Sequence, residues 1–214
     1  MTQSRFISRD ALVAEILLRA ASTPRLIVAI AGAPAAGKST LAEQLCGQIN
    51  AGFDHQPPAI VVPMDGFHYD NMILDARGDR LRKGAPHTFD IDGFTALLAR
   101  LKAADQDVTI PVFDRAMDLA RAGAAMVTLQ HRILLVEGNY LLLNQPAWRC
   151  LPDYFDLSVF LQVPEEILQQ RLIRRWLDHG ADYEAAKARA LANDIPNAQV
   201  VIQCSQPADF ILQD

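Results

Sequence analysis

The chain has 214 residues, half of them hydrophobic, and carries a formal net charge of −5. This length suits one α/β domain, and no apolar run reaches the roughly 18 residues that a membrane-spanning helix needs. The acidic balance and the lack of a long basic run argue against nucleic acid as the main partner. The sequence therefore predicts a globular protein that binds neither a membrane nor a nucleic acid.

The amino terminus and the cysteines indicate the compartment. No basic start is followed by an apolar segment, so we expect no signal peptide. The three cysteines, Cys46, Cys150 and Cys204, are an odd number without metal-ligand spacing. Free thiols, buried or half-buried, in a reducing cytoplasm are the simplest interpretation.

The first part of the chain alternates helical and extended patterns. Apolar residues at helical spacing predict a helix over residues 10–21. The continuous apolar run at 26–30 predicts a strand buried on both faces, and a helix is predicted over 39–50. A second buried strand is predicted over 59–64.

A polar segment follows the second strand. Residues 69–90, which are interrupted by glycine and proline, predict a long ordered loop with one helical turn. A helix is predicted over 92–103 and a short strand over 108–113, where Pro111 indicates the edge of a sheet. An edge hairpin is predicted over 121–130.

The last part of the chain returns to the alternating pattern. Three more strands are predicted, over residues 133–136, 157–163 and 208–212. A proline followed by acidic residues favours a helix over 164–178, and a second helix is predicted over 183–191. A loop is expected at 193–197 and an extended segment at 200–202. Strands that alternate with helices predict a mostly parallel sheet with helices on both faces, within a single domain over 1–214.

One glycine-rich turn after the first strand carries the clearest chemical signal. It reads G-x-x-x-x-G-K-[ST], the phosphate-binding P-loop pattern, in which backbone N–H groups point at phosphate oxygens. Lys38 adds a charge for the β and γ phosphates, Ser39 offers a hydroxyl to Mg²⁺, and the helix terminus adds partial positive charge. The predicted nucleotide-binding residues are Gly32, Ala33, Pro34, Ala35, Ala36, Gly37, Lys38, Ser39 and Thr40.

Two acidic residues end two other predicted buried strands. Asp65 follows the second strand, and Glu137 follows the strand at 133–136. Ligands of such sheets bind beyond the carboxyl ends of the strands, so both acids are expected near the P-loop. One acid would accept the proton of an attacking hydroxyl and one would hold Mg²⁺, the alternative being that each caps a turn.

A cluster of arginines forms the pattern R-x-x-R-R on the helix at 164–178. Arg171 and Arg175 share a helix face at i and i+4, and Arg174 lies beside Arg171. Placed over a transferring phosphoryl group, this face would neutralise charge, which is the main aid to phosphoryl transfer. The alternatives are a solvated basic face or pairing with nearby acids such as Asp178.

The remaining polar residues are weaker candidates, since surface loops are rich in such side chains. The loop at 66–90 and the strand end after 113 supply the candidates His68, Tyr69, Lys83, His87, Asp90, Asp114 and Arg115. Three other histidines have no partner pattern and are predicted to lie on the surface: His55, His131 and His179. Trp148 and Trp176 are predicted to serve packing rather than stacking on a ligand.

These segments together resemble the uridine kinase, phosphoribulokinase and pantothenate kinase group of P-loop kinases, from Leu26 to Leu212. The matching segments are residues 32–40, 64–68, 82–90, 108–115, 136–139 and 171–175. The short length and the Asn-Asp-Ile-Pro-Asn segment at 193–197 are more similar to small bacterial proteins labelled fructose transport system kinases. Ala116-Met117-Asp118 departs from the Tyr-Asp pair of the pantothenate kinases, and the histidine-containing segment of the uridine kinases is missing.

The resemblance implies a P-loop NTPase fold with a small helical lid at about residues 171–182. It implies that Asp65 is the catalytic base, with a contact to Mg²⁺ through water, and that Glu137 lies near the metal. Arg171 and Arg175 would be lid arginines, and residues 197–209 would lie near adenine. The implied acceptor-binding residues are Asp90 and, more weakly, His68, Tyr69, Lys83 and Arg115.

The main hypothesis is an ATP- and Mg²⁺-dependent kinase that phosphorylates a hydroxyl of a small polar acceptor. A sugar such as fructose, a nucleoside or a pantothenate-like molecule would suit it, and a homodimer is left open as its assembly. One alternative is a nucleotide-binding regulatory ATPase without an acceptor; a GTPase is disfavoured because no Asn-Lys-x-Asp motif is present. Another is a nucleoside monophosphate kinase, whose basic site would use Arg77, Arg80, Arg82 and Lys83.

Overall fold

The computed structural model describes residues 4–53 and 57–213. Its strands are β1 (Arg5–Phe6), β2 (Leu26–Gly32), β3 (Ala59–Pro63), β4 (Val108–Asp114), β5 (Leu119–Val127), β6 (Ile133–Gly138), β7 (Leu157–Gln162) and β8 (Phe210–Gln213). Its α-helices are α1 (Arg9–Ala20), α2 (Lys38–Asn50), α3 (Asn71–Arg77), α4 (Ile91–Ala103), α5 (Glu165–Asp178), α6 (Tyr183–Arg189) and α7 (Ile195–Cys204). None of the described helices is both long and apolar enough to cross a membrane.

Six strands form a parallel sheet in the order β1-β8-β7-β2-β6-β3. The central strand β2 pairs with β6 and β7, and all seven of its residues are buried. Burial along a whole strand requires cover on both faces, which explains the unbroken apolar run in the sequence. The predicted mostly parallel α/β fold is therefore confirmed.

The segment predicted as a long loop after β3 contains more helix than expected. Residues 71–77 form α3, and two short 3₁₀ helices follow at Arg80–Arg82 and Pro86–Thr88. Asp70 caps α3 by accepting a hydrogen bond from the Met72 amide, and Gly78 ends it at a φ of +72°. These local signals for a short helix were hidden by the polar composition of the segment.

The predictions for residues 193–202 were wrong. A π-helical segment at Ala190–Asp194 joins α6 to α7, so that both the predicted loop and the predicted extended segment are helical. Pro196 lies in the first turn of α7, and the Ala192 carbonyl that its missing amide hydrogen leaves without a helical partner accepts a hydrogen bond of 3.0 Å from Arg82. The proline was therefore compatible with a helix start rather than a sign of a loop.

The edge hairpin predicted over residues 121–130 is wrong, because most of that range belongs to the single strand β5, which forms a hairpin with β4 in a sheet of its own. β4 and β5 pair only with each other among the described strands, with a register shift between Ile110 and Val112. The bulge falls at Pro111, which has no amide hydrogen for a ladder. The hairpin is thereby free to lie beside the carboxyl end of β3.

The other structural predictions hold in part. The three cysteines are free as expected, but Cys150 and Cys204 are exposed rather than buried. Trp148 is buried in the core, as predicted, whereas Trp176 is half-buried. Of the histidines expected at the surface, His179 is exposed, His131 is half-buried and His55 lies outside the described residues.

Candidate active site

A cavity of about 550 Å³ lies at the carboxyl ends of β2, β3 and β6. Most of the predicted P-loop lines it, namely Pro34, Ala35, Gly37, Lys38, Ser39 and Thr40. Gly37 adopts a φ of +98°, a conformation that favours glycine, at the residue before the first turn of α2. The start of α2 therefore faces the cavity, with its backbone amides available for anions.

The Lys38 side chain is buried at the floor of this cavity. Its ammonium donates hydrogen bonds to the Ala33 carbonyl at 2.9 Å and to Asn139 Oδ1 at 2.6 Å. Burial lowers the pKa of Lys38, against the opposing charges of Glu137 and Asp65. Asn139, one residue past β6, is a site residue for which the sequence predicted no role, although it ends the same strand as Glu137.

Glu137 and Ser39 face each other across the floor. Ser39 Oγ donates to Glu137 Oε1 at 3.2 Å, and the glutamate is only 6% exposed. Burial raises the pKa of Glu137, while the nearby Lys38 opposes that shift. A hydroxyl and a carboxylate at this spacing suit a hard cation that takes its other ligands from phosphate oxygens and water.

These two groups are the best candidates for holding Mg²⁺. Within residues 4–53 and 57–213, no three His, Cys, Asp or Glu side chains form a cluster suited to a metal ion. The donor set fits Mg²⁺ carried by a nucleotide, which needs few protein ligands.

Asp65 reaches the cavity from a 3₁₀ helix, Met64–Phe67, directly after β3. Gly66 and Gly138 allow this turn to pack closely against the β4–β5 hairpin and against β6. A methyl group on Gly66 would lie 2.5 Å from the Pro111 carbonyl oxygen, and one on Gly138 would lie 2.6 Å from Met64 Cβ. Only residues without a side chain allow the hairpin and β6 to approach the turn so closely, and that packing fixes the place of Asp65.

The hairpin contributes Arg115, whose guanidinium contacts the Asp65 carboxylate at 2.9 Å. Phe113 and Asp118 of the same hairpin also line the cavity. We call the hairpin wall the side of the cavity formed by His68, Arg80, Lys83, Phe113, Arg115 and Asp118. Asp118 was not among the predicted site residues; the departure from the family pattern at this place was the signal that could have found it.

His68 and Lys83, two predicted acceptor-binding residues, lie in the hairpin wall. His68 Nδ1 hydrogen-bonds the Asp65 carbonyl at 2.8 Å, and its ring packs against Phe89 and Phe113. Burial lowers the pKa of His68. The Lys83 ammonium contacts Asp118 Oδ1 at 2.8 Å and lies 5.0 Å from the centre of the Phe113 ring.

Tyr69 and Asp90 are placed elsewhere: neither lines the cavity. The Arg77 guanidinium lies 4.6 Å from the centre of the Tyr69 ring. Asp90 caps α4 by accepting a hydrogen bond of 3.0 Å from the Gly93 amide. The part that these two residues play in acceptor binding therefore stays a prediction.

The arginines of α5 lie above the P-loop. Arg171 Nη1 donates to the Ala36 carbonyl at 3.3 Å, and Arg175 lines the cavity. Arg174 forms an exposed ion pair with Asp178 at 2.8 Å, which is the alternative considered for this cluster. The helix thus directs two of its three arginines toward the phosphate-binding loop.

The end of the π-helical segment and the start of α7 add two residues to the site: Asp194 was not predicted there, and Asn197 begins the region expected near adenine. Asp194 and Asn197 line the cavity, and Asp194 Oδ2 accepts a hydrogen bond of 2.5 Å from Trp176 Nε1. Burial raises the pKa of Asp194, while this hydrogen bond opposes the shift. π-helical turns inside helices are frequent at functional sites because they redirect side chains.

A second cavity, of about 630 Å³, lies on the other side of the P-loop. Ala33, the end of β7 and residues 205–208 line it. The 197–209 region expected near adenine therefore contributes to a cavity that adjoins the phosphate-binding loop. Ser205 Oγ, also in this lining, is buried without a hydrogen-bond partner among the described residues.

A phosphate-binding loop at the end of the central strand, with an acid on a nearby strand end, defines the P-loop kinase class. The chain belongs to the phosphoribulokinase/uridine kinase family, whose model matches residues 27–214. It is accordingly an ATP-dependent phosphotransferase that acts on an alcohol group.

Three similar proteins illustrate the relationship. The uncharacterized protein YggC of Escherichia coli K12 is 37% identical over 88% of this chain and 78% of its own length. A Schizosaccharomyces pombe protein named "Putative uridine kinase" is 35% identical over 88% of this chain and 83% of its own. The crystal structure of a "putative fructose transport system kinase" from Silicibacter sp. TM1040 is 45% identical, with a TM-score of 0.88 over 97% of this chain and 99% of that chain.

Proposed function

We propose that the protein transfers the γ-phosphoryl group of ATP, with Mg²⁺, to a hydroxyl of a small polar acceptor. The observation that supports this most directly is that Asp65 and the P-loop lysine line one cavity. A carboxylate beside a phosphate site can take the proton of an attacking hydroxyl, which a site for ATP binding alone does not need.

The proposed roles follow from the geometry of the site. Lys38 and the amides at the start of α2 would bind the phosphates, and Ser39 and Glu137 would hold Mg²⁺. The acceptor oxygen attacks the γ-phosphorus while the bond to the β–γ bridging oxygen breaks. Asp65 takes the proton of the hydroxyl, and ADP carries the electron pair of the broken bond away.

The segment at about 171–182 would act as the lid. It contains the second half of α5 and the turn before α6, with Arg171 and Arg175 directed at the P-loop. Closing this segment over ATP would bring both guanidinium groups to the transferring phosphoryl group and exclude water. Transfer to the acceptor, rather than hydrolysis, depends on that exclusion.

The acceptor is proposed to be a sugar or a nucleoside-like molecule. Two of the similar proteins are named for a uridine kinase and for a fructose transport system kinase. Their names suggest two starting points for a search. The cytoplasmic location expected from the free cysteines remains a prediction.

A screen of sugars, nucleosides and vitamins for ATP-dependent phosphorylation tests the proposal, with Asp65→Asn and Lys38→Ala as variants. We expect Asp65→Asn to keep MgATP affinity but to lose turnover by at least about 100-fold, since a general base contributes that much. Lys38→Ala should lose both MgATP affinity and turnover. Hydrolysis of ATP without any phosphorylated acceptor would favour a regulatory ATPase instead, and normal turnover by Asp65→Asn would contradict the assigned base.

A further inference from the structure

Each of the three Lys and Arg side chains of the hairpin wall is already paired with a carboxylate. Arg115 contacts Asp65 at 2.9 Å, and Lys83 contacts Asp118 at 2.8 Å. Arg80 contacts Asp75 at 2.9 Å and lies 4.0 Å from Asp118. This side of the cavity is therefore balanced in charge rather than basic.

Lys83 is the most constrained of these cations. Its side chain is 10% exposed, and its ammonium contacts three oxygens, namely Asn71 Oδ1 at 2.8 Å, the Asp118 carbonyl at 2.7 Å and Asp118 Oδ1. An ammonium group has three hydrogens to donate, so these contacts use all of them. An anionic group on the acceptor could bind Lys83 only by displacing one of them.

Hydrogen bonds also hold the backbone around Lys83 in place. The Tyr140 hydroxyl donates to the Gly84 carbonyl at 2.6 Å, and Asn193 donates to the Lys83 carbonyl at 2.9 Å. The contacts come from the end of β6 and from the π-helical segment. Displacement of the Lys83 ammonium would therefore work against an anchored chain rather than a loose loop.

Two of the arginines considered for binding a second phosphate are engaged outside the cavity. Arg77 lies over the Tyr69 ring, and Arg82 donates to the Ala192 carbonyl at 3.0 Å. Neither residue lines the cavity. The basic site of a nucleoside monophosphate kinase is thus not assembled from these arginines.

Asp118 offers what a polyhydroxy acceptor needs. Its side chain is half exposed, and its two oxygens accept from Lys83 and from Asn71 Nδ2 at 2.9 Å. Although partial burial alone would raise its pKa, those hydrogen bonds lower the pKa below the usual range. A carboxylate has about four lone-pair sites, so this ionised group can still accept from hydroxyl groups in the cavity, while it repels an anion.

We propose that the acceptor is an uncharged polyhydroxy compound, and that Asp118, held by Lys83, binds its non-reacting hydroxyl groups and excludes phosphorylated or carboxylated analogues. The Phe113 ring would cover an apolar face of that compound, as in most small-molecule sites. This inference rests on the proposed kinase function. It identifies the class of acceptor and the residue that selects it.

Matched pairs of acceptors test the charge preference in the wild-type protein. The pairs are fructose with its 1-phosphate and 6-phosphate, uridine with its 3′- and 5′-monophosphates, and panthenol with pantothenate, so that each primary hydroxyl is free in at least one anionic partner. We expect kcat/KM for the neutral member to exceed that for its anionic partner by at least about 100-fold, because juxtaposed like charges are strongly disfavoured. Preference for an anionic partner overturns this inference and leaves the kinase function standing, whereas ATP hydrolysis with no phosphorylated acceptor, in these pairs or in the wider screen, contradicts the proposed function and the inference with it.

A substitution tests the part assigned to Asp118. Asp118→Asn keeps the shape and is compatible with the φ of +52° at this position. We expect it to lower kcat/KM for the neutral acceptor at least about 10-fold, to narrow the neutral-over-anionic ratio by a similar factor, and to leave the KM for MgATP unchanged.

The matched control is Asp75→Asn. It makes the same change of charge at the other carboxylate paired with Arg80, which does not line the cavity. This control should keep the wild-type ratio. An equal ratio in wild type and Asp118→Asn, or an equal loss in both variants, would contradict the selecting role of Asp118.

Discussion

The ammonium of Lys38 donates a 2.6 Å hydrogen bond to the side-chain oxygen of Asn139, across the gap between α2 and the carboxyl end of β6. The bond joins the phosphate-binding loop to the strand that carries Glu137. A buried charge depends strongly on each of its partners, since water cannot replace a lost one.

Asn139→Ala should lower the free energy of unfolding by about 1–3 kcal/mol, the range for leaving a buried polar group with too few partners. The measurement is urea unfolding without nucleotide. Asn144→Ala is the control, because Asn144 is exposed in the same loop, and it should stay within about 0.5 kcal/mol of wild type. Equal stability of the two variants would show that the Asn139 contact contributes nothing.

Arg115→Ala should reduce kcat for phosphorylation of an identified acceptor by roughly 10-fold. The Arg115 contact orients the Asp65 carboxylate, and a hydrogen bond to a charged group is worth about 1.5–3 kcal/mol, with an exposed pair at or below the lower end. Arg121→Ala is the control, since Arg121 pairs with Asp114 on the same hairpin and has the same side-chain exposure of 57%. Similar losses in both variants would assign the effect to the hairpin as a whole.

Gly66→Ala should destabilise the fold by about 1–3 kcal/mol, as overpacking typically does. The added methyl group would meet the Pro111 carbonyl at 2.5 Å and push the hairpin away from Asp65. Gly47→Ala, in a helix with open space around it, should instead stabilise the protein by about 0.5–1 kcal/mol. Thermal unfolding of both variants measures the contrast, and a Gly66→Ala protein as stable as wild type would contradict the close approach.

The emission of Trp176 should change when MgATP binds. This indole lines the cavity and follows Arg175 on α5, whereas Trp148 is buried in the core at 2% exposure. In Trp148→Phe protein all tryptophan emission comes from Trp176, and titration with MgATP should shift it. Trp176→Phe protein is the matched control, and its remaining emission, from Trp148, should not change on titration. A change in Trp148 emission without a change in Trp176 emission would indicate that the nucleotide binds away from α5.

Stability should fall on acidification through the titration of His68. Burial lowers its pKa in the folded protein from the ordinary value of 6.5, so the unfolded chain binds more protons below that value. The free energy of unfolding therefore rises with pH between the lowered pKa of folded His68 and about 6.5. The contribution of His68 to stability is lost as the pH falls through that range. Chemical unfolding of wild type and His68→Gln at pH 8 and pH 5 tests this: the advantage of wild type should shrink at pH 5. A constant difference would contradict it, since the contribution of His131 is common to both proteins.

Local patterns in the sequence were sufficient to predict the P-loop that lines the cavity. The glycine spacing, Lys38 and the apolar run of β2 are contiguous, so their geometry follows from rules that act over a few residues. Asp65 and Glu137 could be placed at the same edge because parallel strands end together. The helices at 71–77 and 195–204 were missed because a cap residue and a proline in the first turn are weaker signals than polar composition.

The chain by itself was sufficient to predict a phosphate-binding loop after the first long strand, since that pattern lies within nine consecutive residues. Only the tertiary structure brought Lys83 to Asp118, 35 residues further along the chain, and Arg115 to Asp65, and so balanced the charge where the acceptor is proposed to bind. Side chains so far apart in sequence meet because Gly66 lets the hairpin approach the end of β3, and no local pattern encodes the outcome of that packing.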